Sequence, residues 1–415
     1  MSAAAHPPRP SHPGPMLRRG PRPLLLHLSL AMMRSAVLNS AWPSWSGAWP
    51  TRTGVEEPLA RIAEHVAQSG PGAESRFTQA LLTEVWAQDR GFLAGIAAYR
   101  RHPYQRQMED PPTCWEEGGS RLLDYTTDRS GPLVVAIPSL INRAYILDLM
   151  PGKSLMRYLA AEGLQALLLD WGSPGPIERR FTLTDYIVGR LERALLSIGR
   201  PVILVGYCMG GLLALSAALR RPDLVRGLAL LATPWDFHAP DADRARGLAG
   251  LLPALEPAMA ATGALATDLL QMLFACLDPF GTPEKYRNFG RLDQAGAPAR
   301  LVVAIEDWLN DGIPLAAPVA RACLAEWYGE NATAEGLWTV AGAPVDPTQL
   351  AQPAFIAIPN RDRIVPPESA SALAELIPQA TVHRPAAGHV GMAAGRRAEA
   401  ELWRPLRDWC HGLDG

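Results

Sequence analysis

The sequence predicts an α/β fold, with a mostly parallel central sheet and helices on both of its faces. Three observations carry this. Short apolar runs alternate with helical stretches between residues 120 and 233, at 121–125, 133–137, 165–170, 201–205 and 225–233. Runs such as Leu133-Val134-Val135-Ala136-Ile137 have no polar face, which suits strands covered on both sides. The alternation then stops from 240 to 341, where the chain reads as helices and loops, and resumes at 354–358 and 381–383.

Taken in order, residues 1–22 are rich in Pro, Arg, His and Gly and are expected to lack fixed structure. Residues 24–37 form an apolar run of helical character after Arg18, Arg19 and Arg22. Three readings stay open for it: a helix docked on the body, an amphipathic surface segment, or a secretion signal. His27 and Arg34 interrupt the run, and it is too short to span a bilayer. Trp42, Trp45 and Trp49 follow in a Pro/Ser/Gly stretch and suggest packing on a surface. Apolar residues at helical spacing, among them Leu59, Ile62 and Val66, then Leu81, Val85 and Trp86, predict two or three helices over 57–100. Residues 102–115 read as a polar linker and 121–125 as an edge strand. Further helices are predicted over 154–161, 183–196 and 399–410. The expected organisation is an N-terminal segment over 1–56, partly disordered with a short apolar helix, then a helical region over 57–118. The first part of the α/β core covers 119–239, a cap insertion 240–341, and the second part of the core 342–415.

Composition bounds the function. The chain has 415 residues, 48% hydrophobic and 19% charged, as expected of a globular enzyme. A net charge of −2 implies no bulk attraction to nucleic acid. Five widely spaced cysteines, with no Cys-x-x-Cys, suggest neither a disulfide framework nor a metal site. A reducing cytoplasm is the natural setting and keeps thiols available.

The chemistry centres on Gly206-Tyr207-Cys208-Met209-Gly210-Gly211, between the strand at 201–205 and an apolar helix. This is the nucleophile elbow of an α/β-hydrolase with cysteine in place of serine. Gly206, Gly210 and Gly211 permit the close approach of strand and helix that such a turn requires. The Met209 N–H begins the helix, where it can face a developing oxyanion, and a second donor is expected at Leu140 or Ile141, after the strand at 133–137. An acid and a histidine must follow in that order, each just past a strand. Asp362, after 354–358, and His389, after 381–383, fit. His389 would take the thiol proton, and Asp362 would orient the imidazole. Each residue alone has a bland reading: a small apolar core cysteine, a turn aspartate, a surface histidine. Their order, each behind a strand, argues for a site. His238 precedes the acid and His383 lies inside a strand, so both compete poorly.

With these residues in place, the chain resembles polyhydroxyalkanoate synthases, cysteine-nucleophile enzymes of α/β-hydrolase-like fold. Ile141-Asn142-Arg143-Ala144-Tyr145-Ile146-Leu147-Asp148-Leu149 looks like the family's segment after its first core strand. Leu169-Asp170-Trp171-Gly172, Asp185-Tyr186-Ile187, Thr233-Pro234-Trp235-Asp236-Phe237 and Asp307-Trp308-Leu309-Asn310-Asp311 are similar too. The resemblance covers roughly 119–412. It departs at Arg363, where the family often has histidine, and at Pro367, where an aromatic is common. It implies an acyltransferase that polymerises 3-hydroxyacyl groups from coenzyme A thioesters onto a growing polyester, through an acyl-Cys208 intermediate. The alternatives are an acyl-CoA thioesterase or intracellular polyester depolymerase, and a non-enzymatic granule-surface protein. The resemblance further implies no permanently bound cofactor, coenzyme A thioester as substrate through contacts that stay unassigned, and no metal. It implies a cytoplasmic or granule-surface location, with a homodimer or a partner subunit as the assembly.

Overall fold

The computed structural model describes residues 18–41, 56–239, 241–277 and 281–413. The expectations for residues 1–17 and for Trp42, Trp45 and Trp49 lie outside the described residues. The chain divides into two compact units. One comprises residues 1–105 and 279–303, the other 106–278 and 304–415.

The larger unit is built on an eight-stranded sheet. Its strands are β1 (Thr113–Glu117), β2 (Ser120–Asp124), β3 (Leu133–Ile137), β4 (Gln165–Asp170), β5 (Val202–Tyr207), β6 (Val225–Leu231), β7 (Ala354–Ala357) and β8 (Thr381–His383). Their order is β1-β2-β4-β3-β5-β6-β7-β8. From β4 to β8 all pairs are parallel, and only β2 runs against its neighbours. The fold is therefore the mostly parallel α/β sheet that the sequence predicts. β3 and β5 are buried along their whole length, because crossover helices cover both faces. Helix Met209–Arg220 is buried from Met209 to Ala218 and forms much of that cover.

One expectation is corrected. The strand near 121–125 is not the edge. Its Leu122 is fully buried, Arg121 pairs with Asp170 of β4 at 2.8 Å, and β1 lies outside it. The linker expected over 102–115 takes in the start of β1, because Thr113-Cys114-Trp115-Glu116-Glu117 is largely polar and follows two prolines. Pairing with β2 makes β1 a strand, and its exposed Glu116 and irregular register are features that keep an edge from recruiting other strands.

The inserted stretch holds helices Ala242–Ala249, Leu252–Thr262, Thr267–Leu277 and Ala297–Asn310, and then Ala317–Ala322, which runs on into a π-helix at Cys323–Gly329. Two-residue strands pair at Ala264–Leu265 with Leu315–Ala316 and at Thr339–Val340 with Ala343–Pro344.

In the smaller unit, helix Ala73–Arg101 packs on Gly281–Gly290 through Phe92, Ile96, Tyr99, Tyr286 and Phe289. Tyr286 meets the edges of Phe92 and Tyr99. The apolar run from Leu24 forms helix Leu24–Ala41, held to Ala73–Arg101 by Ala31 and by an Arg34–Asp89 ion pair at 2.7 Å. Residues 18–22 lead into it, and the Arg18 guanidinium donates to the carbonyls of His102 and Tyr104. No helix among the described residues is long and apolar enough to cross a membrane.

Gly95 lets helices Ala73–Arg101 and Gly281–Gly290 touch, since a Cβ there would overlap the Tyr286 carbonyl. Helix propensity alone favours alanine over glycine by about 1 kcal/mol. Gly95→Ala should nonetheless destabilise this unit by about 1–3 kcal/mol, because the clash is backbone on side chain. Hydrogen exchange over residues 73–101 should accelerate, and unchanged exchange would rule the contact out.

Candidate active site

The parallel strands end on one edge of the sheet. β3 continues to β4 on one side, while β5 lies on the other, so the connections diverge between β3 and β5. Such a switch point leaves a crevice beyond the strand ends. Cys208 follows β5 directly.

Its backbone is strained, with φ 56° and ψ −129°. For a residue with a Cβ that conformation costs about 1–3 kcal/mol. Surrounding bonds enforce it: the Cys208 N–H donates to Leu231 O at 2.8 Å, and Gly211 N–H donates to Cys208 O at 2.9 Å. Close packing does the rest. A Cβ on Gly210 would overlap the carbonyls of Ile137 and Pro138, and one on Gly206 would overlap the backbone of Gly211. Gly211 in turn sits against Thr233.

Asp362 lies in the loop after β7, and its side chain is fully buried. Its Oδ1 accepts the N–H groups of Ile364 at 2.8 Å and Val365 at 2.9 Å. Its Oδ2 meets Nδ1 of His389 at 2.6 Å. His389 opens the short helix His389–Ala394 after β8. The two loops are joined by Asn360 N–H to Pro385 O at 3.1 Å and Arg361 N–H to Ala387 O at 3.0 Å. Cys208 is close enough to the imidazole for its charge to act on the ring. Nδ1 is committed to Asp362, which leaves Nε2 for the thiol proton. Burial alone would lower the imidazole pKa. The negative charges of Cys208 and Asp362, with hydrogen bonds to both, override that and push it up to about 10. The structure thus brings together Cys208, His389 and Asp362, which the sequence separates widely.

The expected oxyanion donors fare differently. The Met209 N–H stands at the start of its helix, where first-turn amides have no intrahelical acceptor. The Ile141 N–H is taken up by Ser139 Oγ at 3.2 Å. The Leu140 N–H has no acceptor among the described residues. The loop carrying them is held from several sides: Trp171 Nε1 donates to Pro138 O at 2.9 Å, and Trp308 Nε1 donates to Arg143 O at 2.8 Å. Arg143 pairs with Asp311 at 2.8 Å. Segments 141–149 and 307–311, distant in sequence, therefore meet beside the site.

The competing residues are engaged elsewhere. His238 bonds through Nε2 to Tyr328 O at 3.0 Å, and His383 to Glu401 O at 2.5 Å. Burial, and then the Glu326 carboxylate, push the Cys323 thiol far up, which makes it a poor nucleophile.

Two aromatics escaped the sequence reading. Tyr207 lies beside His389, with centroids 5.1 Å apart and the rings tilted by 34°. Its position inside the elbow motif was the available signal. Tyr328, on the insertion's π-helix, is close enough to Cys208 that, after burial, the cysteine's charge raises its phenol pKa. Nothing in its local sequence marks it.

A family model described as alpha/beta hydrolase fold matches residues 134–393. The chain is 29% identical over 308 residues to the poly(3-hydroxyalkanoate) polymerase subunit PhaC of Haloferax mediterranei, covering 71% of this chain and 62% of that one. It is 29% identical over 292 residues to the subunit of the same name from Allochromatium vinosum, covering 67% and 80%. To that of Synechocystis sp. it is 30% identical over 291 residues, covering 66% and 76%. Sheet order, the elbow and these similarities agree: the chain belongs to the alpha/beta hydrolase fold family and, within it, to the polyhydroxyalkanoate synthases.

Proposed function

We propose that this chain is an acyltransferase that polymerises 3-hydroxyacyl groups from coenzyme A thioesters, with Cys208 as nucleophile, His389 as base and acid, and Asp362 as the group that orients and charges the imidazole. The observation that carries the reading is the thiol on a strained elbow, beside a buried histidine held by a buried carboxylate. The names of the relatives support the substrate class.

The steps follow from the geometry. His389 Nε2 takes the Cys208 proton, and the thiolate attacks the thioester carbonyl. The carbonyl oxygen becomes an oxyanion facing the Met209 N–H, with Leu140 as the second candidate donor. One such donor is worth about 3 kcal/mol in the transition state. The bond to coenzyme A sulfur breaks, and the imidazolium returns a proton to that leaving thiolate. The enzyme now holds an acyl-Cys208 thioester. The 3-hydroxyl of another acyl unit then gives its proton to His389 and attacks, an ester forms, and Cys208 departs as thiolate. Exchange of one thioester for another is nearly neutral in energy, so the acyl group stays activated. Water at roughly 55 M competes at each cycle, and exclusion and positioning must suppress it. We assign that role to the insertion, whose Tyr328 lies near the thiol. A polyester surface in the cytoplasm, and a second copy or a partner subunit, complete the proposed setting.

The nucleophile is tested first. Incubation with 3-hydroxybutyryl-CoA should add the acyl mass to the Cys208 peptide, and Cys208→Ala should lose turnover with its melting temperature kept. Label on another cysteine would overturn the assignment. The product separates transferase from hydrolase. Free coenzyme A and insoluble polyester should appear, with little free 3-hydroxy acid, in cell extract if a partner is needed. Stoichiometric free acid without polymer would favour a thioesterase, and neither product would favour the non-enzymatic reading.

The imidazole offers a pH test. Because its pKa is raised from 6.5 to about 10, His389 should be protonated at neutral pH and lose its proton only in the alkaline range. Asp362→Asn and Cys208→Ala each remove a negative charge that favours the cation, so each should move the titration down. Histidine-labelled NMR reads this directly. A wild-type titration near 6.5 would contradict the pairing.

A further inference from the structure

Tyr207 is the residue between the first elbow glycine and the nucleophile, and it is almost fully buried. Packing alone would be served by phenylalanine. The hydroxyl is nevertheless placed, and it donates to the backbone carbonyl of His389 at 3.2 Å. The ring lies beside the imidazole, 5.1 Å between centroids and tilted by 34°. His389 is thus held at two further points besides its Nδ1 bond to Asp362, one on its main chain and one on its ring. Both come from the residue bonded to Cys208.

We infer that Tyr207 is a positioning residue, which ties the main chain and ring of His389 to the strand end that carries Cys208. The inference rests on the proposed roles of Cys208 and His389. Asp362 fixes the direction of the imidazole but comes from the loop after β7, and His389 itself follows β8. Neither is connected to β5 by sequence. Tyr207 supplies that connection, so the distance between thiol and imidazole becomes a property of one rigid strand end. A motion of the loops after β7 and β8 would otherwise change it, and proton transfer is steeply sensitive to such distances. The hydroxyl suits the task because it stays a donor. Burial, then the negative charges of Cys208 and Asp362, raise the phenol's pKa well above its ordinary value.

The test uses the full chain with Tyr207→Phe, which keeps the ring and removes one hydrogen bond. The main readout is the rate of Cys208 alkylation by iodoacetamide against pH, followed by mass on the Cys208 peptide. It needs no turnover. Near neutral pH the variant should react roughly threefold to tenfold more slowly, as loss of one neutral hydrogen bond would give. The acid limb of the profile should move to higher pH. At strongly alkaline pH the two rates should converge, since the thiol then ionises without help. With 3-hydroxybutyryl-CoA, kcat should fall by a similar factor while KM is kept. Superimposable profiles and equal kcat would overturn the inference. So would a uniform loss at every pH with a lowered melting temperature, which is what packing alone predicts. His389→Gln is the control. If it leaves the wild-type profile unchanged, the pairing of thiol and imidazole itself fails, and this inference with it.

Discussion

A close backbone approach underlies the rest of the structure. Helix Met209–Arg220 begins directly against the carbonyl end of β3, with Gly210 on the Ile137 and Pro138 carbonyls. Only a residue without a Cβ fits there. The contact draws the ends of β3, β5 and β6 together and leaves Cys208 nowhere to go but into a left-handed conformation. The strain is small beside the burial that enforces it. Ten consecutive residues of the helix are buried, and Leu212, Leu213 and Leu215 among them contribute about 1.5–3 kcal/mol each. The side chain is thereby aimed out of the sheet edge while its backbone stays fixed.

Around that point the electrostatics are arranged in layers. A carboxylate buried alone would cost several kcal/mol. Asp362 avoids this with two backbone donors on one oxygen and the imidazole on the other. Its charge is therefore available to favour the imidazolium. The same burial that penalises isolated charge makes each of these interactions stronger than it would be in water.

The insertion reaches the site through a polar framework on the loop after β6. Asp236 Oδ1 accepts from His238 N–H at 2.9 Å, Ala239 N–H at 3.1 Å and Asn331 Nδ2 at 2.9 Å. Asn331 Oδ1 accepts from Phe237 N–H at 2.8 Å, and Thr333 Oγ1 donates to the Trp235 carbonyl. Phe237 then stacks on Trp327, 5.5 Å between centroids, and meets the edge of Tyr328 at 5.0 Å. The π-helix is thus fastened to a loop that leaves the sheet two strands from β3.

Much of this was legible in the sequence, for identifiable reasons. β3 and β4 have the bounds that their residues predict, since a strand covered on both faces is largely apolar and stops where the polarity changes. β8 has its expected bounds too, although Thr381 and Val382 are exposed. The elbow was legible because its glycines answer a local steric demand. Asp362 and His389 were legible through order alone, because both follow strands of one parallel sheet and such strands end on the same side. β1 was not legible: its polar residues become a strand only through pairing with β2. The occupation of the Ile141 N–H by Ser139, and the reach of Tyr328 and Tyr207 to the site, were equally hidden. What the sequence by itself determined were the periodicities and the glycine positions, which are short-range properties of the chain, and the order of the reactive groups, which is read directly along it. The tertiary structure alone decided which aromatic packs beside the imidazole and how His389 is held, because those depend on contacts between residues far apart in the chain.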